Sequence, residues 1–297
     1  MGSHELGTMV TAIYDRPWLR RVLHELNMLA RNRDPSKASW QTAKKAILDA
    51  ATYLRYETEQ TIPPIRLDPI KQLFHINEGA LLHSRLASEA LVVPTAGGFI
   101  LRLRENLHSY RRRFSIAHEI GHTFFYDISR DPPTRLVLHA TSGGFSKKEE
   151  GVCSAFAVEL LLPRDLLLAD LQVCRYGELE TILNFSRRYE VSAEAVVRTL
   201  MSDVSYLETC VAIFKAGHSQ LSSTSSKRIW WYRGKAIRNY IRKGEAELFR
   251  KVIGYVNDDS AGKDLEQLAA QQPDILSLVP SDLHPGSQLV ALITFRR

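Results

Sequence analysis

The chain has 297 residues, long enough for more than one hydrophobic core. Hydrophobic residues make up 44% and charged residues 24%, which excludes a disordered or fibrous chain and fits an ordinary globular one. Lys plus Arg number 39 against 33 for Asp plus Glu, a net charge of +6; that excess permits contact with nucleic acid or an acidic partner without demanding it.

Leu19, Val22, Leu23, Leu26 and Leu29 recur at helical spacing, so helices are expected over 16–33 and 38–60 with the polar connector RNRDPSKAS between them. Pro63 and Pro64 are expected to end the second helix, because the residue before a proline is steered out of the helical region. IRLDPIKQLFHI reads as a strand followed by a short helix. LVVPTAGGFILRLREN reads as two strands joined through Thr95–Gly98, the second alternating Phe99, Leu101 and Leu103 against Ile100, Arg102 and Arg104. A helix is expected from about Ser115 to Asp127, another from about Lys147 to Leu162 that stops at Pro163, and further helices across 164–202. LETILNFSRRYEVSAEAVVRTL forms two of these around a Glu190–Ser192 turn, with Ser192 as N-cap. From about 207 the pattern changes to strands (ETCVAIFKAG, SKRIWWYRG, SQLVALITFRR) with a helix at KGEAELFRKVIGYV, and AGKDLEQLAAQQPDILSLVPSDLHPG has no clear period. The best domain boundary lies near 203–208.

Cys153, Cys174 and Cys210 are odd in number and contain no CxxC pair, which argues against a disulfide framework and for a reducing, cytoplasmic location. No apolar run approaches the roughly 20 residues of a membrane span, so no membrane partner is expected. MGSHELGT lacks the basic-then-apolar pattern of a secretory signal.

The chemistry concentrates in residues 114–126, FSIAHEIGHTFFY. Burying two imidazoles and a carboxylate costs free energy unless each has a partner. Four apart on a helix, His118 and His122 aim at a common point. Two neutral imidazoles converging there suit a tetrahedral Zn²⁺ site, and the same donors can hold Mn²⁺. Glu119 projects at an adjacent angle, where it can take a proton from a water that the metal activates without ligating the metal itself. A catalytic zinc usually takes a third protein ligand. KKEEGVCSAFAVELLLP supplies Glu149 and Glu150 at the start of the next long helix, and both are candidates.

FSIAHEIGHTFF followed by EEGVCSAFAVELLLP resembles the ImmA/IrrE metallopeptidase family, whose members pair an FTLAHELGH-like helix with an E-x-x-A-N-x-F-A-x-E-L-L-x-P-like helix. The likeness covers about residues 65–202. Setting Phe156-Ala157 on the family's Phe-Ala puts the metal-binding glutamate at Glu150, and a one-residue slip selects Glu149. The family's Ala-Asn pair is Cys153-Ser154 here, and Cys153 reads as a small core residue. With its flanking modules the whole chain resembles the family's radiation-response regulators.

The resemblance implies an α+β, multidomain chain. Residues 1–163 would hold the N-terminal helices and a zincin-like metallopeptidase domain, 164–204 a helix-turn-helix-like helical domain, and 205–297 a GAF-like α/β domain with a small-molecule ligand. It also implies a site-specific endopeptidase that cleaves a helix-turn-helix transcriptional repressor and so releases DNA-damage and radiation-response genes. A substrate strand would add to the edge formed by FILRLRE, and Tyr126, His139 and Arg102 are candidates to stabilise the oxyanion. The rival reading is a DNA-binding transcriptional activator with a structural metal site. Against direct DNA binding, the second helix of the helix-turn-helix-like pair carries Glu194 and only Arg198, a poor surface for phosphates.

Overall fold

The computed structural model describes residues 16–31, 36–82, 89–136, 144–174 and 178–202, and four C-terminal strands. The chain divides into two compact units, one of Met1–Ala169 with Tyr189–Val191, the other of Asp170–Arg188 with Ser192–Arg297.

The first unit opens with α1 (Pro17–Arg31) and α2 (Lys37–Glu57). Leu19, Val22, Leu26 and Leu29 are buried along one face of α1, and Ala43, Ala46, Ile47, Ala50, Ala51 and Leu54 along α2. The run of small alanines lets neighbouring helices approach closely. Ser36 caps α2, its hydroxyl accepting from the Ser39 amide at 3.2 Å. The helix ends at Glu57, well short of the two prolines: the Thr58 amide and hydroxyl both bond the Leu54 carbonyl, and Glu59 turns to φ 56°. Local capping stops this helix before the proline rule can act.

α3 (Asp68–Leu73) holds Pro69 in its first turn, where a missing N–H has no intrahelical partner to lose. The expected strand lies after this helix rather than before it, as β1 (Ile76–Glu78). β1 runs parallel to β3 (Gly98–Leu103), and β2 (Ala90–Thr95) runs antiparallel to β3, giving the order β1-β3-β2. Phe99, Leu101 and Leu103 face the core while Arg102 is exposed, the alternation expected of a half-covered sheet. The FILRLRE strand is therefore central and offers no edge. Among the described residues β2 is unpaired on its far side. There the Val92 amide points away from β3, and in strict alternation so does position 94, which is a proline with no N–H to present.

α4 (Ser109–Thr123) starts six residues earlier than expected, with the His108 ring accepting from the Tyr110 amide at 3.4 Å as its cap. Arg111, Arg112 and Arg113 hide its apolar period in the sequence. It also ends earlier, because Tyr126–Asp127 (β4) pairs with Thr134–Arg135 (β5) in a short hairpin. Phe124 follows α4 at once and meets Trp18, Phe74 and Phe156 edge-on at 6.4, 5.5 and 5.2 Å between ring centres. One ring thus ties α1, α3 and α5 (Gly144–Leu161) to the end of the motif helix.

α6 (Arg164–Val173) is tied to α2 by Arg55, which is 1% exposed and places Nη2 2.8 Å from both oxygens of Asp165, a side chain 49% exposed. Asp165→Ala would strand a buried guanidinium, so a loss of roughly 1–3 kcal/mol is expected in urea unfolding. An unchanged midpoint would show that water replaces the carboxylate.

In the second unit, α7 (Glu178–Tyr189) begins at Glu178, and α8 (Ala193–Ser202) is capped by Ser192 through its hydroxyl and the Ala195 amide at 3.1 Å. Arg198 pairs with Glu194 at 2.9 Å and Arg188 with Asp170 at 2.8 Å. β6 (Cys210–Lys215), β7 (Arg228–Arg233), β8 (Leu276–Val279) and β9 (Leu289–Ile293) form an antiparallel sheet in the order β7-β6-β9-β8. β8 falls inside the segment that shows no clear period in the sequence. The helix expected at KGEAELFRKVIGYV lies outside the described residues, as do the other segments on which a GAF-like reading of 205–297 depends. Among the described residues, no helix is long and apolar enough to cross a membrane.

Candidate metal centre

α4 and α5 pack along their length because Gly121 has no side chain. A Cβ there would stand 3.1 Å from the Cys153 Cα and 3.2 Å from its Cβ, and Cys153 itself is fully buried, with burial pushing its thiol pKa well up. This close approach brings His118 and His122 on one helix against Glu149 and Glu150 on the other.

Three side chains converge. His118 Nε2 is 3.1 Å from His122 Nε2 and 3.0 Å from Glu150 Oε2, and His122 Nε2 is 3.4 Å from Glu150 Oε1. Donors held about 2.0–2.1 Å from a tetrahedral ion must sit roughly 3.3 Å from one another, so this triangle fits a Zn²⁺-sized cation. His118, Glu119 and His122 also form a cluster whose ligand atoms lie within 4.8 Å of one another. Glu119, however, is committed elsewhere: its Oε2 accepts from the Val92 amide at 2.8 Å.

Glu149 takes a different position. Its Oε1 lies 2.8 Å from His122 Nδ1, and both its oxygens lie 2.6–2.7 Å from Arg135 Nη2. An ionised carboxylate only accepts, so the His122 Nδ1–H donates, and in the neutral ring Nε2 keeps its lone pair. Ser154 Oγ stands 3.3 Å from His118 Nδ1, the position from which it can play the same part for the other ring. Carboxylate, carbonyl or hydroxyl partners on the remote nitrogen are the usual means of aiming a metal-binding imidazole.

The charges follow from these contacts. Burial would raise the pKa of Glu149, but the His122 hydrogen bond and Arg135 outweigh it and hold the carboxyl below its ordinary value. Burial would lower His122, yet Glu149, with the charges of Glu119 and Glu150, raises it. His118 is lowered by burial and by His122. Glu119, 7% exposed, is raised by burial against the pull of His122 and the Val92 amide.

The group lies in a cleft of about 530 Å³ whose lining also includes Glu89, Leu91, Arg111, Phe114, Tyr126 and Arg135. Tyr126 lies along this cleft. Arg102 is exposed and does not line it, and His139 falls outside the described residues. Arg135, Ser154 and Val92 carry no functional reading in the sequence. Ser154 had a usable signal, since it stands where the resembled family has asparagine; Arg135 and Val92 had none.

Residues 82–201 match the family model described as the IrrE N-terminal-like domain, a peptidase family. This stretch is similar to that metallopeptidase-family domain and carries a His-Glu-x-x-His group. The match leaves out α1, α2 and the C-terminal strands, so a likeness over the whole chain is not supported by it. No curated protein matched. Among solved structures, a transcriptional regulator of Mycobacterium tuberculosis is similar at 17% identity and a TM-score of 0.38, over 63% of this chain and 55% of that one. The chain thus spans just over half of that protein, and at this level the likeness carries no further argument.

Proposed function

We propose that the protein is a metal-dependent endopeptidase. The observation that carries the reading is the triangle of His118 Nε2, His122 Nε2 and the Glu150 carboxylate, with edges of 3.0–3.4 Å, opening on a cleft beside a buried glutamate. These three side chains would hold a zinc ion, with Mn²⁺ an alternative occupant. When bound, such an ion acts as a Lewis acid that polarises a carbonyl and acidifies a water.

Glu119 is the general base. The Val92 amide fixes one carboxylate oxygen and leaves the other to take a proton from the attacking water. The water oxygen adds to the scissile carbonyl, the C–N bond breaks, and Glu119 returns the proton to the leaving nitrogen. Glu149 is the orienting carboxylate for His122 rather than a ligand. Tyr126, whose oxygen is 3.4 Å from Arg135 Nη1, keeps its own O–H to donate to the developing oxyanion. The far edge of β2, along the cleft at Ala90, Leu91 and Val92, is the place for a substrate strand to add.

The ImmA/IrrE resemblance supports a regulatory substrate, a helix-turn-helix repressor of DNA-damage and radiation-response genes. The same resemblance supports 164–204 as a helix-turn-helix-like docking or packing module and 205–297 as a GAF-like sensor for a small ligand. The test is incubation of purified protein with candidate repressors, with zinc, with manganese and with a chelator. A discrete fragment that appears with metal and vanishes with chelator is expected; no metal-dependent cleavage of any protein or peptide would overturn the reading.

A further inference from the structure

The Glu149 side chain is 3% exposed, whereas Arg135, which grips it, is 52% exposed. A buried carboxylate without a cation is costly, and here the cation comes from a two-residue strand rather than from either helix of the centre. We propose that Arg135 is a positioning residue of the metal centre: its guanidinium fixes the Glu149 carboxylate, which in turn locks His122 with Nε2 turned toward His118 and Glu150. The proposal rests on the metallopeptidase reading.

Four contacts brace Arg135 and its hairpin. Its backbone pairs with Tyr126 across the β4–β5 hairpin, and its guanidinium lies 5.4 Å from the centre of the Tyr126 ring. The next residue, Leu136, donates its amide to the Phe125 carbonyl at 3.0 Å. The loop of the hairpin is fastened as well, with Asp131 Oδ1 accepting from the Gly97 amide at 2.7 Å. The guanidinium therefore reaches Glu149 from a braced strand, and one nitrogen spans both carboxylate oxygens. A lysine would bring the charge without the second nitrogen that reaches the Tyr126 oxygen at 3.4 Å and without the stacking on its ring.

The experiment uses the full chain. Arg135→Met, Arg135→Lys and Glu149→Gln are compared with wild type for zinc affinity, by competition with a chromophoric chelator, and for the His122 tautomer, by ¹⁵N NMR of metal-free protein. Expected for Arg135→Met are zinc binding weakened about 10–100-fold and a His122 signal shifted from the Nδ1–H form toward a mixture. Arg135→Lys should recover part of both, and Glu149→Gln, which keeps an acceptor for Nδ1–H, should fall between. Zinc affinity within twofold of wild type together with an unchanged tautomer would overturn the proposal. If Arg135→Met does not fold, Arg135→Lys and Glu149→Gln decide by the same two readouts. If wild type itself holds no divalent ion, the peptidase reading falls, while the tautomer comparison still decides the role of Arg135.

Discussion

Glu119→Gln is expected to leave one divalent ion per chain in place and to lower the rate of substrate cleavage by a factor of about 10²–10⁴. The amide oxygen of glutamine can still accept from Val92, whose N–H lies 2.8 Å from the native carboxylate, so the side chain should keep its seat. What disappears is the ability to take a proton. Zinc stoichiometry and single-turnover cleavage, measured on one preparation, separate the possible roles. Loss of the metal would make Glu119 a ligand, and retained cleavage would remove it from the chemistry. A structural metal site in a DNA-binding activator would show no cleavage in either protein.

The second large effect is expected at the β2–β3 turn. A Cβ on Gly98 would fall 2.4 Å from the His75 carbonyl oxygen and 2.6 Å from the His75 Cβ, and Gly98 itself sits at φ +139°. Neither neighbour can yield, because the Phe99 amide bonds that same carbonyl at 3.0 Å. Gly98→Ala should cost roughly 2–4 kcal/mol in urea unfolding. Gly97→Ala is the internal control: its φ is +79° but nothing lies within 4 Å of the added carbon, so only about 1 kcal/mol of backbone strain is expected. Equal losses at the two positions would refute the steric account. Because β2 carries Val92, a displaced turn should also loosen Glu119, and the folded fraction of Gly98→Ala should cleave more slowly than wild type.

What the sequence discloses about the centre follows a physical gradient. A four-residue spacing is enough to put His118 and His122 on one helix face, and their rings stand 4.9 Å apart. Adjacent residues on a helix diverge by about 100°, so Glu149 and Glu150 must point differently, but periodicity alone does not say which lies beside the Nε2 atoms and which beside the far side of His122. That depends on how α4 packs on α5, where Gly121 meets Cys153. Arg135 is less visible still. It sits on a strand too short for any pattern and reaches Glu149 only through the hairpin fold. In the sheet, alternation along Phe99–Leu103 reveals a half-covered strand, yet nothing in it shows that β1 would pair in parallel on one side and make β3 central. Likewise the three arginines at 111–113 mask the first turn and a half of α4.

The proline at position 94 has a bearing on how molecules of this protein meet in solution. Two copies approaching rim to rim would need a row of amides to knit into a continuous ribbon, and this rim breaks the row: one group is engaged by Glu119 and the next does not exist. Such an interruption guards against runaway stacking and fibre growth. On the proposed peptidase reading, an extended substrate would have to rely on the remaining main-chain groups of this rim beside the histidines.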